Sequence, residues 1–238
     1  MKKVGILATA LFLAVSGSFA GPTFDQRVSE ARRHMRAACQ AVQKIVKADA
    51  AERPGLKESA AEEASEAERL WTDLAGEYAV SVPEGYAGDP AWSQRLEDIR
   101  LNIVRMGKEI STDQWRCAFL SCAHACNLLA TMHEANGVTL AIDAMSVLRK
   151  KVGFAQGLLA AGKTEKARSL VKEIMAARDA VWLAPLPDTT SREAYLEALP
   201  ELSLEIDALA AAGRGGFDIK APLDKLAAVV ERVYELAI

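Results

Sequence analysis

The chain has 238 residues, with 29 lysines and arginines against 32 aspartates and glutamates, for a formal net charge of −3. Half of it is hydrophobic, 6% is aromatic, and it carries four cysteines and three histidines. A balance this mildly acidic leaves no electrostatic footprint for nucleic acid or an anionic membrane surface, so neither is expected as a partner.

The chain opens on the pattern of a secretory signal peptide: Lys2 and Lys3, an apolar run from Val4 to Val15, and small residues closing at Ser18-Phe19-Ala20. Cleavage is expected after Ala20, making 1–20 the signal peptide and Gly21 the first mature residue. Loss of Lys2 and Lys3 takes the net charge to −5, with 27 basic against 32 acidic side chains. The apolar run is shorter than the roughly 20 residues a spanning helix needs, and no later stretch approaches that length, so no stable membrane insertion is expected after cleavage. With Gly21 rather than Cys after the cut, lipid attachment is not expected either, and the mature protein is assigned to the periplasm or the exterior. Four cysteines in such a compartment raise the expectation of disulfides. A chain this long buries a core without them, so their placement carries more information than their number.

Strand patterns are nearly absent, while Ala, Leu, Glu, Lys and Arg recur at helical spacing. The first helix is expected over Phe24 to Ala48, with Phe24, Val28, Ala31, Met35, Ala38, Val42 and Ile45 on one stripe. Pro54-Gly55 is read as a break before a second helix over Leu56 to Val80. Asp89-Pro90 is read as the cap and first residue of a third helix reaching Glu109, and Ser111 with Gln114 as a capping box opening a fourth that stops at Asn136-Gly137. Four more helices follow over Val138 to Ala161, Thr164 to Leu183, Thr190 to Ala212 and Ala221 to Leu236.

The second half repeats the plan of the first. Pro185 and Pro187 stand where Pro83 does, Trp182 where Trp71 does, and Leu202, Ile206 and Leu209 where Leu96, Ile99 and Ile103 do. The expected fold is all-α, a tandem pair of up-down four-helix bundles over 21–136 and 137–238, with one elongated helical array as the alternative.

All the cysteines and histidines fall in the first half: His34, Cys39, Cys117, Cys122, His124, Cys126 and His133. Trp115, Phe119, Cys122, Cys126, Leu129 and His133 share one stripe of the fourth helix, which the aromatics mark as buried. If helices one and four are antiparallel neighbours, pairing Phe24 with about Asn136 and Ala48 with about Thr112, Cys39 lies level with residue 121 and Met35 with residue 125. Cys39, Cys122, Cys126 and Met35 then converge. Such soft donors suit Cu(I), or Zn(II) where His133 or His124 replaces Met35.

The C-A-H-A-C run from Cys122 to Cys126 resembles the C-x-x-x-C units of four-helix-bundle copper-binding and copper-storage proteins, which repeat the unit many times where this chain has it once. The resemblance covers one turn of one helix and implies a copper site in a bundle. The layout, with Trp71 late in a second helix and cysteines on the fourth, also resembles the cytochrome c-prime group. The C-x-x-C-H haem attachment signature is missing, which leaves non-covalent haem between Met35 or His34 and His133.

Plainer readings stand beside these. Cys39 bridged to Cys117 or Cys122 ties helix one to helix four, and a cysteine on an alanine-rich face also packs as a small hydrophobe. Arg32, Arg33 and Arg36 around His34 read as a solvated basic face, the run Glu58, Glu62, Glu63, Glu66 and Glu68 as a solvated acidic one, and Met106, Met132, Met145 and Met175 as core filler. No phosphate loop, zinc-protease motif, nucleophile elbow or C-x-x-C pair occurs, and the turn from Gly213 to Gly216 lacks the Lys-Ser/Thr of a P-loop, so no enzyme is expected. The functional expectation is an exported non-enzymatic binding or accessory protein with a soft-metal site at Cys39, Cys122, Cys126, Met35 and His133. A disulfide-bonded structural or interaction module with an unidentified protein partner, and a haem-binding electron carrier, remain open.

Overall fold

The computed structural model describes residues 23–186 and 191–237. The expected signal peptide, Pro187 and the expected helix start at Thr190 lie outside these. Among the described residues there are nine α-helices, one short 3-10 turn over Glu84–Tyr86, and no strands.

Helix α1 (Phe24–Lys47) starts on a capping box that the sequence reading missed. The Gln26 side chain accepts from the Thr23 N–H at 2.5 Å and the Thr23 hydroxyl accepts from the Gln26 N–H at 3.3 Å. Asp25 in the first turn and Lys44 and Lys47 in the last suit the helix dipole. All seven residues of the expected stripe are buried, joined by Arg32 and Ala41.

Helix α2 (Arg53–Tyr78) takes Pro54 into its first turn, so Pro54-Gly55 does not break the chain. A proline there forfeits only an N–H that has no helical acceptor. Ala60, Ala64 and Ala67 give α2 a narrow inner face, followed by Trp71 and Leu74. Helix α3 (Trp92–Ser111) begins two residues beyond Pro90. Asp89 instead builds the turn before it: Oδ1 accepts from the Ala91 N–H at 2.9 Å, while Oδ2 receives Arg95 at 2.7 Å and the Asn136 amide at 2.9 Å. Helix α4 (Trp115–Ala135) lacks the expected capping box. Ser111 closes α3 by donating to the Lys108 carbonyl at 2.7 Å, and Asp113 turns the chain at φ +60°. Gly137, at φ +65°, ends α4, with the Val138 N–H returning to the His133 carbonyl at 2.9 Å.

Helices α1 to α4 pack in sequence and close the ring through α1 against α4. Short connections make neighbours antiparallel, which gives the up-down order. The second half comprises α5 (Ala141–Ala160), α6 (Thr164–Ser169), α7 (Val171–Leu183), α8 (Arg192–Arg214) and α9 (Lys220–Leu236). The expected helix over Thr164 to Leu183 is interrupted at Leu170, whose N–H bonds back three residues to Ala167. Here α5, α7, α8 and α9 form the ring, with α6 against α5. Each ring encloses its own hydrophobic core, one over Phe24 to Met132 and one over Ala141 to Ala237. Leu96, Ile99 and Ile103 are buried in one, and Leu202, Ile206 and Leu209 in the other. No helix among the described residues is long and apolar enough to cross a membrane.

Candidate functional site

The two bundles meet where α1 and α4 face α5 and α9. Arg32 holds this junction. It falls four residues after Val28 and three before Met35, so helical geometry sets it at the edge of the apolar stripe, and the second bundle covers it to 2% exposure. The expected solvated basic face is therefore corrected for Arg32, which is interior because Asp143 and Ser146 of α5 take its guanidinium, while Arg33 stays exposed. Its Nη1 donates to Asp143 Oδ1 at 2.8 Å and its Nη2 to the Ser146 hydroxyl at 3.2 Å. His133 Nδ1 lies 2.5 Å from Asp143 Oδ2. The carboxylate accepts, so Nδ1 carries the proton, leaving Nε2 buried without a partner among the described residues.

Burial works against the charge on Asp143, but the His133 hydrogen bond and the positive charge of Arg32 outweigh it and hold the carboxyl below its ordinary value. The network thus keeps a buried ion pair charged.

Cys39 and Cys122 form a disulfide joining α1 to α4, with Cα atoms 6.4 Å apart and a sequence separation of 83. The antiparallel register placed Cys39 level with residue 121, one position away. Met35 is packed in the core, its carbonyl oxygen 3.5 Å from the Cys122 sulfur; a bridged sulfur has no hydrogen, so this is a contact and not a hydrogen bond. Cys117 is exposed and Cys126 half-buried, both free.

The buried residues of α4 are Ala118, Ser121, Cys122, Ala125, Leu129, Met132 and His133, so Cys122, Leu129 and His133 of the expected stripe are buried and Trp115, Phe119 and Cys126 are not fully so. Trp115 and Phe119 sit at the margin of the buried face, Phe119 at 36% exposure. Small alanines rather than aromatics face the bundle axis because α4 packs closely on α1 and α3.

Beside the bridge a cavity of about 280 Å³ opens between the bundles. Cys39, Cys122 and Cys126 line it with Phe119, Arg32 and Arg36 from the first bundle, and Arg149, Lys150, Glu231 and Tyr234 from the second. Arg36 lies 4.1 Å and Arg149 5.1 Å from the centre of the Tyr234 ring, a pair of cation–π contacts. Lys150 donates to Asn127 at 2.7 Å across the junction.

The structure therefore gathers three of the five expected metal residues, Cys39, Cys122 and Cys126, along one cavity, and sends His133 to Asp143 and Met35 into the core. Two of the three sulfurs are bonded to each other and unavailable as thiolates. Among the described residues no group of three or more His, Cys, Asp or Glu side chains is placed to hold a metal ion. The bridged form thus does not fit the soft-metal set. For haem, the expected axial groups are already engaged, since His34 bonds Glu63 at 2.7 Å, His133 bonds Asp143, and Met35 is enclosed. His124 is exposed.

The residues that sequence reasoning missed are Arg32, Arg36, Asp143, Arg149, Lys150 and Tyr234. The one local signal was Arg32 flanking the stripe, with Arg36 a turn further on. Comparison of the chain with protein-family models, with curated proteins and with solved structures finds no match in any of the three.

Proposed function

We propose that this is an exported, non-enzymatic binding or accessory protein, in which a disulfide-tied first bundle, 21–136, and a second bundle, 137–238, act together as one binding body. The observation that carries the reading is the cavity at their junction, walled by both bundles and floored by the Cys39–Cys122 bridge. A bridge tying α1 to α4 suits an oxidising compartment outside the cytoplasm. The test is N-terminal sequencing and thiol counting on protein recovered from the exported fraction. A start at Gly21 with two free thiols, those of Cys117 and Cys126, is expected. A retained Met1, or four reactive thiols, overturns the reading.

A second reading is soft-metal binding by the reduced protein, supported by the presence of Cys126 on the same cavity as both bridged sulfurs. Reduction returns two thiols beside a third, a set suited to Cu(I). Anaerobic Cu(I) titration of reduced protein against a competing chelator is then expected to show one equivalent bound and its loss in Cys126→Ser. No uptake ends this reading without touching the first.

A further inference from the structure

We propose that the junction cavity binds a small organic carboxylate, its anionic end among Arg32, Arg36 and Lys150 and its apolar body against Phe119, Ala123 and the Cys39–Cys122 bridge. The assignment rests on the reading of the chain as a binding protein and adds the chemical class of the ligand.

Three independent observations converge on it. The first is charge. Four cationic side chains line the cavity against the single carboxylate of Glu231. Asp143 on Arg32 and Glu235 on Arg36 bring the acidic groups in contact to three, leaving, among the described residues, one cation in excess in a chain that is acidic as a whole. That excess is Lys150, whose bonded partner is the neutral amide of Asn127. The second is an unmet demand for acceptors. The Nε atoms of Arg32 and Arg36, one turn apart on α1, are buried without a hydrogen-bond partner among the described residues, and both side chains line the cavity. Such buried donors are uncommon and point to a missing acceptor. The ion pairs of Arg36 are also long, 3.5 Å to both Glu231 and Glu235 against 2.8 Å from Arg32 to Asp143, so they compete weakly with an entering oxyanion.

The third is the composition of the rest of the wall. Phe119, Ala123, Ala130 and the bridge sulfurs offer nothing to an inorganic anion, whereas an apolar body covers them and releases water. At about 280 Å³ the space exceeds the roughly 150 Å³ that encloses a benzene-sized guest and lies at the lower end of ligand pockets. An arginine fork favours a planar carboxylate.

The experiment is calorimetric titration of the oxidised mature protein with phenylacetate, phenylacetamide and inorganic phosphate. Phenylacetate is expected to bind, with the amide and phosphate each weaker by about tenfold, since each lacks one half of the recognition. Added salt is expected to weaken phenylacetate binding. Lys150→Gln and Arg36→Gln are each expected to weaken it by about tenfold at unchanged melting temperature, and Phe119→Ala by less. Arg32 is left intact because its pairing with Asp143 is structural. Equal binding of the amide overturns the anionic requirement, and equal binding of phosphate reduces the site to an unselective anion site. Wild-type affinity in both charge variants removes the location, and no binding at millimolar phenylacetate removes the proposal. A Gly21 start with two free thiols in the same preparation shows that the exported, bridged body stands even when the ligand assignment fails.

Discussion

The two bundles share a helical plan and differ in what holds them. In the first, Phe24 anchors an aromatic end cluster, its ring centre 5.0 Å from Tyr78 and 5.1 Å from both Tyr86 and Trp92. Trp71 is wholly buried and donates to the Leu96 carbonyl at 3.0 Å, and the disulfide closes the ring of helices. The second relies on an aliphatic core of Leu202, Ile206, Leu209, Leu223, Leu226 and Val230. Its Trp182 stands 48% exposed, donating to the Ser203 hydroxyl at 2.8 Å. Matching spacing therefore reproduced the scaffold and not the contacts. Of these distinguishing features only the disulfide lies on the junction cavity; the aromatic cluster, Trp71 and Trp182 stand away from it.

The sharpest test of this contrast pairs the two tryptophans. Trp71→Ala is expected to cost about 3–5 kcal/mol in chemical denaturation, because a large void opens among fixed helices. Trp182→Ala is expected to stay within about 1 kcal/mol, and similar losses for both would erase the distinction.

Asp143→Ala tests the junction. It leaves Arg32 buried and charged without its carboxylate, at an expected cost of about 3–5 kcal/mol. A loss below about 1 kcal/mol would mean that the bundles are held by something other than this ion pair.

Removing the bridge as Cys39→Ala with Cys122→Ala is expected to cost about 2–4 kcal/mol, since it frees the unfolded chain from a long closed loop. Hydrogen exchange should localise that loss to α1–α4 and leave the core of α7–α9 protected. Loosening of both bundles alike would show one cooperative unit.

Acid gives a smaller and graded effect. Because the folded-state pKa of Asp143 is depressed, its contribution is complete above the ordinary aspartate value near about pH 4 and is lost as pH falls through the lower folded value. Melting temperatures measured downward from pH 5 should fall less in Asp143→Asn than in the parent. Gly137→Ala closes the series at about 1 kcal/mol: nothing lies within 4 Å of the added Cβ, so the cost comes from the positive φ alone.

Much of the scaffold was legible because burial on a helix follows a period that residue spacing displays. The α1 stripe is the clearest case, every expected position being buried. Caps were read less well. Thr23 with Gln26 and Ser111 with Gln114 look alike in sequence, yet only the first forms a box, since the chain around Asp113 is committed to a tight turn between α3 and α4. Within the site, the antiparallel register brought Cys39 to Cys122 within one residue. The pairing of His133 with Asp143 was not legible, because it joins a helix of one bundle to a helix of the other and no local pattern encodes that.

Sequence alone determined the helical class, the tandem plan, and the concentration of cysteine and histidine in one half. These are properties of composition and period, which act over a few turns of chain. Tertiary structure decided that Arg32 is interior and that Cys39 and Cys122 are bonded to each other. It also decided that four cations, two from α1 and two from α5, line one cavity. Those outcomes depend on which helix faces which across the junction, a matter of docking between distant segments rather than of spacing within any one of them.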